Sequence, residues 1–411
     1  MSWNKKSHEE IKQTVFQALE TNVNYVEETV LGIPASYLDD KVFNQDESFL
    51  QNAPFISTLV KNPNHIGCHT LGKSESFFSG TQAIEKDVID ICSVDILKGQ
   101  PGQQDGYVAS GGTEANMQAI WVYRNYFMQV HGARLEEICI LCSEDSHYSM
   151  DKASNILVLD IEKVQVDEEN RSIDAHGVAE AVQRAGDRGA KYFIVVCNMM
   201  TTMFGSVDSV DAYVEVLEKT DCQFKVHIDG AFGGFYYPFT EGDSALTFEN
   251  PHITSFTLDA HKMAQAPYGT GIFLIRKNHI HYTHTQEASY VEGEDCTMIG
   301  SRSGANAVAI WMILTMNGPY GWQEKIFVLQ KRTEWMCKRL NQLGIPYYRN
   351  SRSNIITMKS AGIPADIAEK YGLVPDNHTT PNWYKIVIME HVTIEKLMPL
   401  VEEISALHEP V

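Results

Sequence analysis

Three things are scarce in this sequence, and each scarcity removes a class of function. Long apolar runs are missing. The longest uncharged apolar stretch, Ala307 to Met316, is too short to span a bilayer. The opening residues, Met1-Ser2-Trp3-Asn4-Lys5-Lys6-Ser7-His8-Glu9-Glu10, lack the apolar core of a signal peptide. A cytoplasmic location without a membrane partner is therefore expected. Basic side chains are also short, 33 against 53 acidic ones, for a formal net charge of −20. Such a chain repels nucleic acid and anionic lipid unless a basic patch is concentrated somewhere, and none is visible. Cysteine is the third: eight are scattered at positions 68, 92, 139, 142, 197, 222, 296 and 337, without the density of a disulfide scaffold. Cys139-x-x-Cys142 has no second pair and lies in an apolar run, so these thiols read as reduced core residues.

What the chain does have is 411 residues, 44% of them hydrophobic, enough for one large and one smaller domain. Short apolar runs read as strands at Ile138 to Cys142, Tyr192 to Cys197, Phe224 to Ile228, Ser255 to Leu258 and Ile272 to Ile275. Helical stretches at Ala179 to Ala185 and Val210 to Glu218 separate some of them. This alternation predicts an α/β protein with a mostly parallel sheet covered on both faces. After Gly318-Pro319 the pattern changes. Lys331 to Leu343 reads as an amphipathic helix, Asn354 to Met358 and Lys385 to Met389 as strands, and Ile394 to Leu407 as a closing helix that Pro399 should kink or delay. The expected division is an N-terminal helical and loop segment over 1–75, a large α/β domain over 76–318 and a small α+β domain over 319–411. No internal repeat or low-complexity tract is present.

Four segments carry chemistry. Asp259-Ala260-His261-Lys262 closes an apolar run. A lysine at the inner end of a buried strand suits an amine kept uncharged for nucleophilic work, although a lysine that snorkels to solvent would fill the same position. Upstream, Val226-His227-Ile228-Asp229-Gly230-Ala231 ends an apolar strand in a carboxylate followed by small residues. An Asp at such a strand end faces the crevice where α/β proteins bind ligands, or else caps a turn before glycine. Ser110-Gly111-Gly112-Thr113-Glu114-Ala115-Asn116 opens a helix whose apolar face is suggested by Met117, Ile120 and Trp121. Its N-terminus favours an anion such as phosphate, or the segment is a plain capping box. It is not a Walker loop, because no Gly-Lys-Ser/Thr follows. Finally, Asp145-Ser146-His147-Tyr148-Ser149 places a flat imidazole just past a strand, where it is either a surface group or a platform for a flat ring.

Together, in type and in order, these four segments resemble the group II pyridoxal-phosphate-dependent amino acid decarboxylases. The resemblance runs from about Pro63 to the C-terminus. Asp-Ala-His-Lys-Met and the later Gly300-Ser301-Arg302-Ser303-Gly304-Ala305 look most like the tyrosine/aspartate decarboxylases within that family. The resemblance implies the aspartate-aminotransferase-like architecture called fold type I, with pyridoxal 5'-phosphate as cofactor. It makes Lys262 the lysine that holds the cofactor covalently, Asp229 the partner of the pyridine nitrogen and His147 the group stacked on the ring. Gly111, Gly112, Thr113 and His261 become phosphate or near-phosphate contacts, Ala231 the small residue under the ring, and Thr202 a residue near the cofactor hydroxyl. Ser301 resembles a residue that reaches the phosphate of a neighbouring subunit, so a homodimer with shared active sites is expected. Tyr290, with His147 as the fallback, is the candidate proton donor to Cα.

The implied reaction is decarboxylation of an L-amino acid, with tyrosine or another aromatic, aspartate and glutamate as the expected substrates. The site must hold the substrate carboxylate out of the ring plane and keep water from it. His65, His69 and Phe78 fall in the region that resembles the family's substrate wall. The chain departs from its relatives at Lys385, where an arginine often pairs with the substrate carboxylate; lysine lacks the bidentate fork. Another pyridoxal lyase, a transaminase, or a catalytically silent protein of the same fold are the alternatives.

Overall fold

The structure is a computed structural model that describes residues 79–241, 245–285 and 294–408, together with Glu9, Thr29, Leu31, Gly32 and residues 39–43. Tyr290, His65, His69, Phe78 and most of the 1–75 segment lie outside the described residues.

A seven-stranded sheet forms the centre of the larger part, with strands β1 (Gln104–Ala109), β2 (Ile138–Ser143), β3 (Asp160–Val164), β4 (Tyr192–Asn198), β5 (Gln223–Gly230), β6 (Ile253–Asp259) and β7 (Gly271–Arg276). Their order is β1-β7-β6-β5-β4-β2-β3. Only β7 runs against the rest: it pairs antiparallel with both β1 and β6, while the pairs from β6 through β3 are parallel. The carboxyl ends of β1, β2, β5 and β6 therefore share one edge of the sheet, and each of the four chemical segments begins there.

The apolar runs form strands because both faces are covered. In β2 and β4, Cys139, Leu141, Phe193, Val195 and Cys197 enter one core, while Ile138, Ile140, Cys142, Ile194 and Val196 enter the core on the opposite face. Continuous β-branched and aromatic runs are what two-sided burial in a parallel sheet demands. Cys139 and Cys142 thus point to opposite faces and share neither a disulfide nor a metal. Five predicted strands are present, and two others were not anticipated, β1 and β3.

Helix α1 (Ser79–Asp90) precedes β1, and α2 (Gly112–His131), α3 (Ser149–Leu157), α4 (Ala175–Asp187) and α5 (Val210–Leu217) connect the strands. Asp174 caps α4 by accepting from Gly177 N–H at 2.8 Å. Of the expected face of α2, Ile120 is buried together with Asn116, Ala119, Tyr123 and Phe127, and Met117 and Trp121 are partly buried against the same core.

Helix α6 (Gly304–Leu343) is two helical segments joined at a kink, where Gly318 adopts φ +61° and Pro319 follows. The positive φ favours glycine, and proline cannot donate into the preceding turn. Beyond it, β8 (Tyr347–Tyr348), β9 (Ile355–Lys359), β10 (Val374–Pro375) and β11 (Trp383–Val387) form an antiparallel sheet in the order β10-β11-β9-β8, with helices α7 (Ala365–Lys370) and α8 (Ile394–His408). Strand β11 begins two residues before its expected start. Pro399 lies inside α8 without delaying that helix, which begins at Ile394. No described helix is long and apolar enough to cross a membrane.

Candidate active site

The edge formed by β1, β2, β5 and β6 opens into a cavity of about 320 Å³. Gly111, Gly112, Thr113, His147, Asp229, Ala231, His261 and Lys262 all line it. Residues from four distant segments thus meet in one place. Thr202 and Ser301 are exposed and lie outside this lining. The Thr202 backbone carbonyl accepts from Lys385 Nζ at 3.0 Å.

The anion end of the cavity is the start of α2. First-turn N–H groups have no acceptor within their helix, and the helix dipole adds positive charge there. Glu114, in this first turn, also lines the cavity, but its carboxylate is engaged within the loop. Its carboxylate turns back to accept from Ser110 N–H at 2.7 Å and from Tyr107 OH at 3.0 Å, which braces the loop. Gly112 has to be glycine, because a Cβ would stand 2.7 Å from Asp259 Oδ2 and 3.1 Å from Ala231 Cβ.

Lys262 follows the end of β6 in a turn. Its Nζ stands 3.2 Å from Asp259 Oδ2, and His261 Nε2 is 3.6 Å from the same oxygen. Burial pushes the Asp259 carboxyl up, against the lowering pull of Lys262 and His261. Burial likewise pushes the His261 ring down. Asp259 Oδ1 and His261 Nδ1 are both buried without a hydrogen-bond partner. Buried polar atoms are rarely left so, and here they border a cavity shaped for a ligand.

Asp229, at the end of β5, has both carboxylate oxygens oriented. Oδ1 accepts from Ala231 N–H at 3.1 Å and Oδ2 from Asn116 Nδ2 at 2.9 Å. Asn116 also donates to Ser149 Oγ at 3.1 Å, which lies 2.8 Å from His147 Nδ1. Burial pushes the His147 ring down, partly offset by Asp229. Asn116 and Tyr148, which also line the cavity, stand inside the sequence motifs but carried no expected role there. Lys385 reaches the same region from β11. It is buried, and burial first and the nearby Lys262 second push its pKa down to about 8.

Residues 67–345 match the family model described as the pyridoxal-dependent decarboxylase conserved domain. The chain belongs to the pyridoxal-dependent decarboxylase family. A tryptophan decarboxylase of Clostridium sporogenes (strain ATCC 15579) is 50% identical over 98% of this chain and 97% of its own length. A probable L-tyrosine/L-aspartate decarboxylase of Methanocella arvoryzae is 29% identical over 83% of this chain and 89% of its own length. The likeness to tyrosine/aspartate decarboxylases is therefore present, but it is the weaker of the two. Among solved structures, L-methionine decarboxylase from Streptomyces sp. 590 superposes with a TM-score of 0.75 at 20% identity, covering 97% of this chain and 96% of its own. That likeness concerns the fold, which is type I. The chain is a pyridoxal-phosphate-dependent amino acid decarboxylase, and the cavity of this family member fits the group. It offers a helix N-terminus for phosphate, a carboxylate held at Asp229, a flat imidazole at His147 and an amine at Lys262.

Proposed function

We propose that this protein decarboxylates an aromatic L-amino acid, tryptophan foremost, at the cavity bounded by Lys262, Asp229 and His147. The observation that carries the reading is the 50% identity with a tryptophan decarboxylase over nearly the whole of both chains. Its site is the convergence of eight motif residues on one cavity.

In this reading Gly111, Gly112, Thr113 and His261 would hold the phosphate, Asp229 would keep the pyridine nitrogen protonated, and Ala231 and His147 would pack against the ring. Lys262, whose Nζ is 3.2 Å from Asp259 Oδ2, would hold the cofactor covalently. When bound, the pyridoxal ring accepts the electrons of the bond broken at the substrate Cα. Lys385 supplies a buried ammonium for the substrate α-carboxylate, close enough to Lys262 to feel its charge. Fixing that carboxylate would favour carbon dioxide over a proton as the group lost from Cα. Tyr290 or His147 returns a proton to Cα. Thr202, whose backbone carbonyl accepts from Lys385, would approach the cofactor from the hydroxyl side. Ser301, exposed and outside the cavity of its own chain, serves the site of a second copy in a homodimer. The free thiols of the described cysteines accord with a cytoplasmic location.

The test is a panel of L-tryptophan, L-tyrosine, L-phenylalanine, L-aspartate and L-glutamate with the purified, cofactor-loaded protein, following carbon dioxide and the amine. Tryptophan should release both in equal amounts. Formation of a keto acid without carbon dioxide would identify a transaminase instead, and release from aspartate or glutamate alone would overturn the aromatic reading.

A further inference from the structure

Beneath α2, the central strands carry a stripe of buried polar side chains. Tyr123 and Asn116 come from the helix, His227 and Asp229 from β5, and Ser255 and Thr257 from β6. In the sheet register His227 faces Ser255 and Asp229 faces Thr257, so all four share one surface. The contacts form a single chain. Tyr123 OH meets Ser255 Oγ, Ser255 Oγ lies 2.7 Å from His227 Nδ1, and His227 Nε2 lies 3.0 Å from Asn116 Oδ1. Asn116 Nδ2 then meets Asp229 Oδ2 at 2.9 Å and Ser149 Oγ at 3.1 Å.

The direction of every bond follows from one end. An ionised carboxylate only accepts, so the amide nitrogen of Asn116 must face Asp229, and its oxygen must face His227. The proton of the neutral His227 ring therefore sits on Nε2, with Thr257 Oγ1 at 3.2 Å as a second acceptor. Nδ1 then accepts from Ser255, and Ser255 accepts from Tyr123. On the other branch, the second hydrogen of the Asn116 amide goes to Ser149 Oγ, which is free to donate to His147 Nδ1. Ser149 N–H also donates to that nitrogen at 3.2 Å, so the proton of neutral His147 is on Nε2. Burial keeps His227 neutral, pushing it down to about 4 against the pull of Asp229.

We propose that Asn116 is a positioning residue that orients the ring-nitrogen carboxylate Asp229 and the stacking imidazole His147 together, with its own orientation locked by the Tyr123–Ser255–His227 chain. This inference rests on the decarboxylase reading for the roles of Asp229 and His147, but the lock itself belongs to the chain alone. Only an amide satisfies it. Alanine leaves Asp229 Oδ2 and Ser149 Oγ without their donor, and aspartate sets two carboxylates face to face.

Two measurements test it. In the cofactor-free protein labelled with 15N-histidine, both His227 and His147 should show the Nε2–H tautomer. An Nδ1–H tautomer at either ring would overturn the proposal without any variant having to fold. Titration with pyridoxal 5'-phosphate then separates lock from bulk packing. Asn116→Ala should bind about 10- to 100-fold more weakly, as expected for loss of a hydrogen bond to a charged group. Asn116→Asp should lose affinity progressively between about pH 5 and pH 8 as the paired carboxylates ionise, while the unaltered protein shows no such added slope. A merely structural role would give a constant deficit, and equal affinity of both variants and the parent at every pH would refute the lock. If the parent binds the cofactor and shows the expected tautomers yet releases no carbon dioxide from any amino acid, the functional reading fails and the lock stands.

Discussion

Strands β4 and β5 run side by side in the same direction, but they use their faces differently. Both faces of β4 are apolar: Phe193, Val195 and Cys197 on one, Ile194 and Val196 on the other. Strand β5 keeps Val226 and Ile228 on the first face and places His227 and Asp229 on the second. Strand β6 repeats this, with Phe256 and Leu258 against Ser255, Thr257 and Asp259. The fold is thus held by one pattern and the site is built by the other, within neighbouring strands of one sheet. Buried polar groups need partners, and α2 supplies them for Asp229, His227 and Ser255 through Asn116 and Tyr123, while Asp259 faces Lys262 and His261.

The sharpest way to break this comparison is to alter each strand where it does its own work. Asp229→Asn should lower the decarboxylation rate by at least about 100-fold, since removing one member of a buried ion pair costs about 3–5 kcal/mol. Its melting temperature should change little by comparison. Phe193→Ala in β4 should do the reverse, costing about 3–5 kcal/mol of stability through the cavity it leaves, with KM unchanged while the chain remains folded. Denaturant titrations beside steady-state kinetics check both, and a Phe193→Ala variant with normal stability would contradict two-sided packing.

A smaller effect concerns His227. Its folded pKa, about 4, lies below the 6.5 of an ordinary histidine. Below that ordinary value the unfolded chain binds a proton that the folded chain refuses. Stability is therefore complete above about pH 6.5 and is lost as the pH falls towards about 4, by roughly 3 kcal/mol. Urea midpoints over that range should show the decline, and His227→Gln should flatten it. A slope that survives the substitution would place the acid sensitivity elsewhere.

Much of this architecture was legible in the sequence, for identifiable reasons. Strands β2, β4 and β7 are continuous apolar runs, and the four chemical segments carry their residues within a few positions of a strand end. Strand β3 was not legible because Asp160-Ile161-Glu162-Lys163-Val164 reads as charged surface. It is an edge strand whose acids pair with helix α4 and the residue after it, Glu162 with Arg184 at 2.8 Å and Arg188 at 2.7 Å, and Asp160 with Arg188 at 2.8 Å. Strand β1 opens on Gln104-Asp105-Gly106, too polar for an apolar-run criterion. Asn116 stands in a motif but was not recognisable as a hub, because an asparagine in a helix gives no sign of its partners. The signal was two strands away. Val-His-Ile-Asp and Ser-Phe-Thr-Leu-Asp alternate polar and apolar residues inside a sheet covered on both faces, and the polar set therefore had to be met by a helix.

The smallest expected effect sharpens the contribution of the second sheet. If Lys385 meets the substrate carboxylate as an ammonium, kcat/KM should fall as the pH rises through about 8. Lys385→Met should raise KM by roughly 10-fold, as for one hydrogen bond to a charged group, with cofactor binding little changed. Lys385→Arg should move the alkaline limb upward. An unchanged limb in the arginine variant would remove Lys385 from substrate binding.

Lys262 and Lys385 are close enough to interact electrostatically, and only one of them can be the lysine that captures the cofactor. Incubation of the protein with pyridoxal 5'-phosphate, reduction with borohydride and mass-spectrometric mapping of the modified peptide distinguishes them. The label is predicted on Lys262 alone. A label on Lys385, or on no lysine of this cavity, would contradict the assignment of the site.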